Sequence, residues 1–188
     1  MNRDDQDTAA LAKQALRLAL RQARAAVAPA TRVQWDATIG AQLLAWWRLR
    51  QFPAIGVYWP LAGEPDLRAA YAELADAGVR LALPVVLARD HALAFAEWTP
   101  GEAMAKDLMG MTVPARLRML ERPPALVIPC LGYSDEGYRV GYGGGFYDRT
   151  LADAIRPATV GVAYSGQRAV FSPAPFDVAL DVIFTEKT

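Results

Sequence analysis

Residues 125–149 read Ala125-Leu-Val-Ile-Pro129-Cys-Leu-Gly-Tyr-Ser-Asp-Glu-Gly-Tyr-Arg139-Val-Gly-Tyr-Gly-Gly-Gly-Phe-Tyr-Asp148-Arg149. The first five form a short apolar run of the kind that makes a buried strand. Four glycines (Gly141, Gly143, Gly144, Gly145) then crowd into five positions. Glycine strengthens neither helix nor strand. What such a run offers is backbone N–H groups that can turn toward an anion, and room for that anion to approach. A helical pattern resumes at Phe146 and is expected to run to about residue 156. The loop therefore also feeds a helix N-terminus, which suits a phosphate. Arg139 and Arg149 flank it, and Asp148 falls in the first helical turn, within reach of a metal ion riding on phosphates. The spacing is neither Gly-x-Gly-x-x-Gly nor Gly-x-x-x-x-Gly-Lys-Ser/Thr, so neither common phosphate loop applies, and a plain turn or linker is the alternative.

Outward from this unit the same alternation continues. Apolar runs at 54–59, 79–86, 92–98, 159–164 and 181–185 read as further strands. Helical spacing marks 8–28, 31–50 and 67–77, with Thr8 as N-cap of the first helix, Pro29 beyond its end, and Asp66 as N-cap of the third. Trp35, Trp46 and Trp47 in the second helix are expected to pack in the core. Strands alternating with helices predict a three-layer α/β/α sandwich with a mainly parallel, Rossmann-like sheet preceded by N-terminal helices. No repeat or linker divides the chain, and one domain is expected over residues 1–188.

Composition narrows the function classes. With 53% hydrophobic and 21% charged residues among 188, the chain can build a sizeable core. Twenty basic and twenty acidic residues cancel, so no net charge recruits nucleic acid or a membrane surface, and an anion site has to be local. A single cysteine, Cys130, excludes an internal disulfide framework and fits a reducing compartment. No apolar targeting core opens the sequence and no segment approaches a bilayer span, which makes a cytoplasmic location the expectation.

Several side chains outside the loop invite a role. Lys13, Arg17, Arg21 and Arg24 form a basic stripe on the first helix beside the apolar series Leu16, Leu20, Ala23 and Val27. Four cations without acidic partners repel mildly, which an anion against the stripe would relieve; a solvated helix face is the competing reading. Glu64 lies just past the end of the first strand, where open α/β sheets place ligands, or is a wet surface carboxylate. His91, the only histidine, sits at a turn and is expected to be exposed. Cys130 reads as a small apolar residue at a strand end. Methionines 104, 109, 111 and 119 populate the irregular stretch 99–124 and could form an adaptable apolar wall or simply pack.

Taken together, the run from Pro129 to Arg149 resembles the 5-formyltetrahydrofolate cyclo-ligase family, also called methenyltetrahydrofolate synthetases, whose Gly-rich loop ends Tyr-Tyr-Asp-Arg. Lys13-x-x-Leu16-Arg17, Tyr58-x-Pro60 with Glu64, and Asp177-x-x-x-Asp181 follow the family pattern in order, so the resemblance spans about 13–186. It implies an ATP- and magnesium-dependent closure of 5-formyltetrahydrofolate to 5,10-methenyltetrahydrofolate with release of ADP and phosphate. Carried over residue by residue, it implies catalytic roles for Arg139, Tyr142 and Asp148. Lys13, Arg17, Arg139, Gly141, Gly143, Gly144, Gly145, Phe146 and Tyr147 would bind ATP. Glu64, Tyr142, Gly143–Phe146 and Met109 would bind the reduced folate, and Asp148 and Asp177 the magnesium. Phosphoryl transfer asks a protein chiefly for positioning and charge neutralisation, which these residue types supply.

The resemblance has gaps. Met109-Gly110-Met111-Thr112-Val113-Pro114 stands where members carry an aromatic residue followed by Gly/Asn-Ile and a Glu/Gln-Pro pair, and Phe176-Asp177 replaces His-Asp. The nucleotide features are thus nearly intact while the pterin side is altered. A related ATP-dependent enzyme acting on another formyl or heterocyclic substrate, or a binding module without turnover, are the alternatives. A monomer is expected, with a homodimer the other possibility, and no nucleic-acid or membrane partner.

Overall fold

The structure is a computed structural model that describes residues 3–188, with side chains from residue 11 onward. Two helices come first, α1 (Arg3–Ala25) and α2 (Pro29–Arg50). Then follow β1 (Ala54–Gly56), α3 (Arg68–Asp76), β2 (Arg80–Val85), β3 (Ala94–Trp98), β4 (Met104–Lys106), β5 (Thr112–Pro114) and β6 (Met119–Leu120). The last third holds β7 (Ala125–Pro129), β8 (Gly132–Tyr133), β9 (Arg139–Val140), α4 (Phe146–Leu151), β10 (Ala158–Val162) and β11 (Val182–Phe184).

Seven strands form one sheet in the order β11-β10-β7-β1-β2-β3-β6. The five from β11 to β2 are parallel; β3 and β6 extend the edge antiparallel. The reason is the length of the connections. Only eight residues separate β2 from β3, enough for a hairpin but not for a crossover. Asp90 takes the left-handed conformation in that turn at φ 59°.

Strand periodicity of two sorts the core into two layers. Ile55, Leu81, Leu83 and Val127 face α2 and α3, where Ile39, Leu43, Tyr71 and Leu74 bury against them. Ala82, Leu126 and Ile128 face the other way, onto Phe95, Leu151 of α4 and Leu180. That is the expected three-layer α/β/α arrangement with a mostly parallel sheet. Between the layers β10 has no room for side chains at Gly161. A Cβ there would stand 2.4 Å from Ile183 Cδ1, 2.8 Å from Leu180 Cδ1 and 3.1 Å from Cys130 Sγ.

Several boundaries depart from the sequence reading. Helix α1 already runs from Arg3, so Thr8 lies inside it rather than at its cap, and Pro29 opens α2 instead of merely ending α1. Strand β1 is three residues because the chain turns off toward Pro60, although Val57 N still donates to Ala82 O. The N-cap of α3 is Leu67, and Asp66 reaches one residue further, accepting from Arg68 N at 3.1 Å. Helix α4 is six residues, not eleven, since Arg149 O and Thr150 O turn to Ala152 N and to Arg122. The irregular stretch folds as the β4–β5 ribbon and the β6 edge. The three α2 tryptophans lie half-buried on the rim of the core rather than within it. Among the described residues no helix is long and apolar enough to cross a membrane.

Gly161→Ala should lower unfolding stability by about 1–3 kcal/mol, the usual cost of overpacking a filled core. Urea denaturation followed by tryptophan fluorescence measures it; an unchanged midpoint would mean that Ile183 and Leu180 move aside freely.

Candidate functional site

The chain leaves β1 for β2 on one side and passes from β7 to β10 and β11 on the other. Parallel sheets bind ligands where the order reverses in this way, outside the carboxyl ends of the strands. A cavity of about 430 Å³ lies at that place, bordered by Tyr58 and Trp59 past β1, Pro84 and Val86 at β2, and Pro129 at β7. Every residue singled out from the sequence as a site residue borders it: Lys13, Arg17, Glu64, Met109, Arg139, Gly141, Tyr142, Gly143, Gly144, Gly145, Phe146, Tyr147, Asp148 and Asp177.

One wall is the glycine loop, closed from above by α1. Gly143 and Gly145 have φ of 100° and 64°, a conformation that L side chains rarely adopt. Arg17 Nε donates to Gly141 O at 3.0 Å, and its guanidinium carbon lies 3.7 Å from where a Gly143 Cβ would stand. Lys13 Nζ reaches Asp177 Oδ2 at 3.4 Å. Beneath the loop Arg139 is buried, with Nη2 on Asp148 Oδ1 at 2.7 Å, Nη1 on Val178 O at 3.0 Å, and its guanidinium 5.9 Å above the Tyr147 ring. Arg149 does not border the cavity; it braces the loop from outside through Gly144 O and His91 O.

The opposite wall is built on Glu64, 5% exposed. Its Oε2 accepts from Leu61 N at 2.8 Å and its Oε1 from the Tyr142 hydroxyl. Arg24, also 5% exposed, donates from Nη1 to that hydroxyl at 2.8 Å and from Nη2 to Ala62 O at 3.4 Å. Burial pushes the Tyr142 phenol above its ordinary value, and the neighbouring Glu64 charge adds to this. Trp59, Met109 and Met111 add apolar lining, and Phe171 adds more from beside Leu16 under α1. Asp107 fixes the two methionines, its Oδ1 accepting from Met109 N and Met111 N at 2.9 Å each, while its Oδ2 ties the ribbon to Val86 N at 3.0 Å.

Some expectations change here. The basic stripe is only partly a wet face: Arg21 is exposed, but Lys13 and Arg17 are half-buried and Arg24 is buried, while Ala23, assigned to the apolar face, is exposed. The buried side of α1 mixes Leu16 and Leu20 with Arg17 and Arg24, so one face does both jobs. A six-residue α4 has little dipole, and the loop's own N–H groups take over that part of the argument. Val113 faces Val85 and Ala96 in the interior, and its neighbours Met111 and Thr112 reach the cavity instead. Phe176 is 85% exposed and borders nothing. His91 is exposed at its turn. Cys130 is buried, with its thiol pushed up to about 12 by desolvation, as a packing residue would be. Trp59, Phe171 and Asp107 had no signal in the sequence beyond the Asp107–Gly110 turn chemistry.

Asp148 and Asp177 both border the cavity. Among the described residues, Asp148 Oδ2 and Asp177 Oδ1 accept no hydrogen bond, their partner oxygens being taken by Arg139 and Val178 N and by Lys13 and Ala174 N. No cluster of three or more metal-binding side chains occurs among the described residues. Two single carboxylate oxygens suit magnesium, which is usually held by one or two carboxylates plus substrate phosphates.

Comparison with known proteins gives a consistent result. The family model described as the 5-formyltetrahydrofolate cyclo-ligase family matches residues 9–186. A Haemophilus influenzae protein named 5-formyltetrahydrofolate cyclo-ligase is 28% identical over 176 residues, 89% of this chain and 94% of that one. A protein of the same name from Mycoplasma pneumoniae is 40% identical over 62 residues, a segment that spans 38% of its length. Among solved structures, a 5,10-methenyltetrahydrofolate synthetase from Mycoplasma pneumoniae superposes with a TM-score of 0.77 at 26% identity, covering 93% of this chain and 98% of that one. The enzyme of the same name from Aquifex aeolicus gives 0.80 at 25% identity, covering 94% and 90%.

The raised Tyr142 phenol has a sign that can be checked. A group whose folded pKa exceeds its unfolded value stabilises the fold below the unfolded value, here 10.0, and loses that contribution as pH climbs through the folded one. Tyr58, Tyr71, Tyr147 and Tyr164 are raised the same way, chiefly by burial. Tyrosinate absorbance should therefore rise later in native than in urea-unfolded protein, and a native titration centred near 10 would contradict the burial of these rings.

Proposed function

The chain belongs to the 5-formyltetrahydrofolate cyclo-ligase family, and on that premise we propose that it closes 5-formyltetrahydrofolate to 5,10-methenyltetrahydrofolate with ATP and magnesium, releasing ADP and phosphate. One observation carries the reading: the α1 cations, the glycine loop, two carboxylates and Glu64 border a single cavity with an apolar far wall. The cations and the glycine loop suit a triphosphate, and Glu64 with the aromatic and thioether groups suits a pterin.

In this reading the formyl oxygen attacks the γ-phosphorus, the bond to the bridging oxygen breaks, and ADP leaves with that electron pair. The resulting iminium phosphate is attacked at carbon by N10, which gives up its proton. The carbon–oxygen bond then breaks and phosphate departs, leaving the methenyl bridge. Both displacements spread negative charge over phosphate oxygens, so the protein's part is positioning and neutralisation. Lys13 and Arg17 lie over the glycine loop and would meet the phosphates as they are delivered to it. Arg139 commits two of its five N–H donors to Asp148 and Val178 O, so it would hold the Asp148 carboxylate in place and add positive potential beneath the loop, with donors left for the nucleotide. Glu64 would accept from the pterin N–H groups, with the ring against Trp59 and Met109. Magnesium, when bound, supplies charge neutralisation to the phosphate oxygens, and Asp148 and Asp177 would hold it through their remaining oxygens.

The direct test is absorbance at the methenyl band after mixing protein, ATP, magnesium and 5-formyltetrahydrofolate; phosphate release without that band would leave a different substrate. Asp148→Asn keeps the acceptor for Arg139 but loses the charge, and should cut magnesium-dependent turnover by about a hundredfold with melting temperature nearly kept. Full activity would remove Asp148 from the metal. Glu64→Gln should raise KM for the folate about tenfold, the worth of a hydrogen bond to a charged group. The KM for ATP should move by less than about twofold, and equal shifts in both would contradict the division of the cavity.

A further inference from the structure

Arg24 is the residue of this region whose situation the proposed chemistry does not explain. It stands eleven positions beyond Lys13 on α1, yet it does not border the cavity. A guanidinium cannot shed its charge, and burying one without compensation is costly. Arg24 is nevertheless 5% exposed. Its partners come from two separate segments: Nη1 donates to the Tyr142 hydroxyl at 2.8 Å, and Nη2 to Ala62 O at 3.4 Å. Its nearest carboxylate is Glu64 Oε1, at 3.9 Å. That is too far for a direct hydrogen bond but close enough for charge attraction. Its guanidinium also lies 5.8 Å from the Tyr142 ring centre, and Arg21 lies 5.5 Å from it.

The polarity of the chain follows from donor chemistry. Arginine can only donate, so the Tyr142 oxygen accepts from Arg24 and its single proton is directed at Glu64. Without Arg24 that hydroxyl is free to turn. Glu64 would then lose both a fixed donor and the nearest positive charge, and a carboxylate that rotates presents its free lone pairs to the cavity in many directions. With Arg24 in place, Oε1 is held by Tyr142 and Oε2 by Leu61 N, so the orientation of the group is set before any ligand arrives.

We propose that Arg24 is a positioning residue for substrate recognition, acting through the Tyr142 hydroxyl to hold the Glu64 carboxylate aimed into the cavity. The role rests on the reading of Glu64 as the folate-binding group. One face of α1 would thus serve two parts of the cavity: Lys13 and Arg17 the phosphate-facing part, and Arg24 the Tyr142–Glu64 pair.

The test is a double-mutant cycle of Arg24→Met and Tyr142→Phe, read in two ways on the full chain. Unfolding by urea reports whether the contact exists, and KM values for 5-formyltetrahydrofolate and ATP report whether it positions Glu64. The expected result is coupling in both. Arg24→Met alone raises the folate KM about tenfold with the ATP KM changed less than about twofold, and adding it to Tyr142→Phe raises the folate KM little further. Arg24→Lys, which keeps a donor and a charge, should recover part of the folate affinity, and it carries the test if the methionine variant fails to fold. Coupling in stability with an unchanged folate KM would make Arg24 a purely structural group and overturn the proposal. Equal shifts in both KM values, or independent effects of the two substitutions on the folate KM, would overturn it as well. Wild-type protein that forms no methenyl product would instead defeat the underlying functional reading, a result separate from any of these.

Discussion

The ion pair between Arg139 and Asp148 is the contact on which the geometry of the cavity depends. Arg139 belongs to a two-residue strand and Asp148 to a six-residue helix. Each anchors one buried apolar residue, Val140 and Leu151, and needs further contacts to fix its orientation. The buried guanidinium solves this by taking Asp148 with one nitrogen and Val178 O with another, while Val178 N returns to the same carboxylate. Loop, helix and the C-terminal segment at 174–180 are thereby one rigid corner. Truncating Asp148 so that no oxygen remains to accept would leave the buried Arg139 guanidinium without that partner, a penalty larger than the pair's own net worth.

Helix α1 attaches to that corner in an unusual way for an amphipathic helix. Among its described side chains the apolar contribution is small, essentially Leu20 with Leu16 against Leu131, Val140 and Phe171. The rest of its hold is polar: Lys13 on Asp177, Arg17 on Gly141 O, and Arg24 on Tyr142 and Ala62 O. The docking of the helix and the electrostatics of the cavity are therefore the same set of contacts. Salt screens chiefly the partly exposed Lys13–Asp177 pair and touches the buried Arg24 contacts far less.

How far these features could be read from the sequence depends on whether their cause is local. The strands announce themselves because a sheet buried on both faces writes apolar runs such as 125–129. The glycine loop announces itself because positive φ at Gly143 and Gly145 demands glycine. The end of α4, by contrast, is decided by Arg122, thirty-three positions from Ile155 whose carbonyl it takes, and no local pattern carries that. Periodicity placed Arg24 on a charged stripe because it counts a guanidinium as a solvent-seeking group, and only tertiary partners can reverse that sign. The same holds for Val113: strand alternation puts it inside and Thr112 outside, but the sequence reading had not recognised a strand there. The apolar lining was hardest to foresee, since Trp59, Met111 and Phe171 reach the cavity from three separate segments.

The bond between Lys13 and Asp177 joins positions 164 residues apart. The centre of the sheet likewise needs Gly56 beside Leu126, a separation that local hairpins cannot supply. Such a topology has high contact order and folds slowly relative to helical bundles of its size. The cavity exists only where β7 lies beside β1 and α1 lies over the loop. Any small molecule that fills it recognises only finished protein and, by mass action, draws the folding equilibrium toward that state. In a cell, abundance of this chain would rise and fall with the concentration of what it binds.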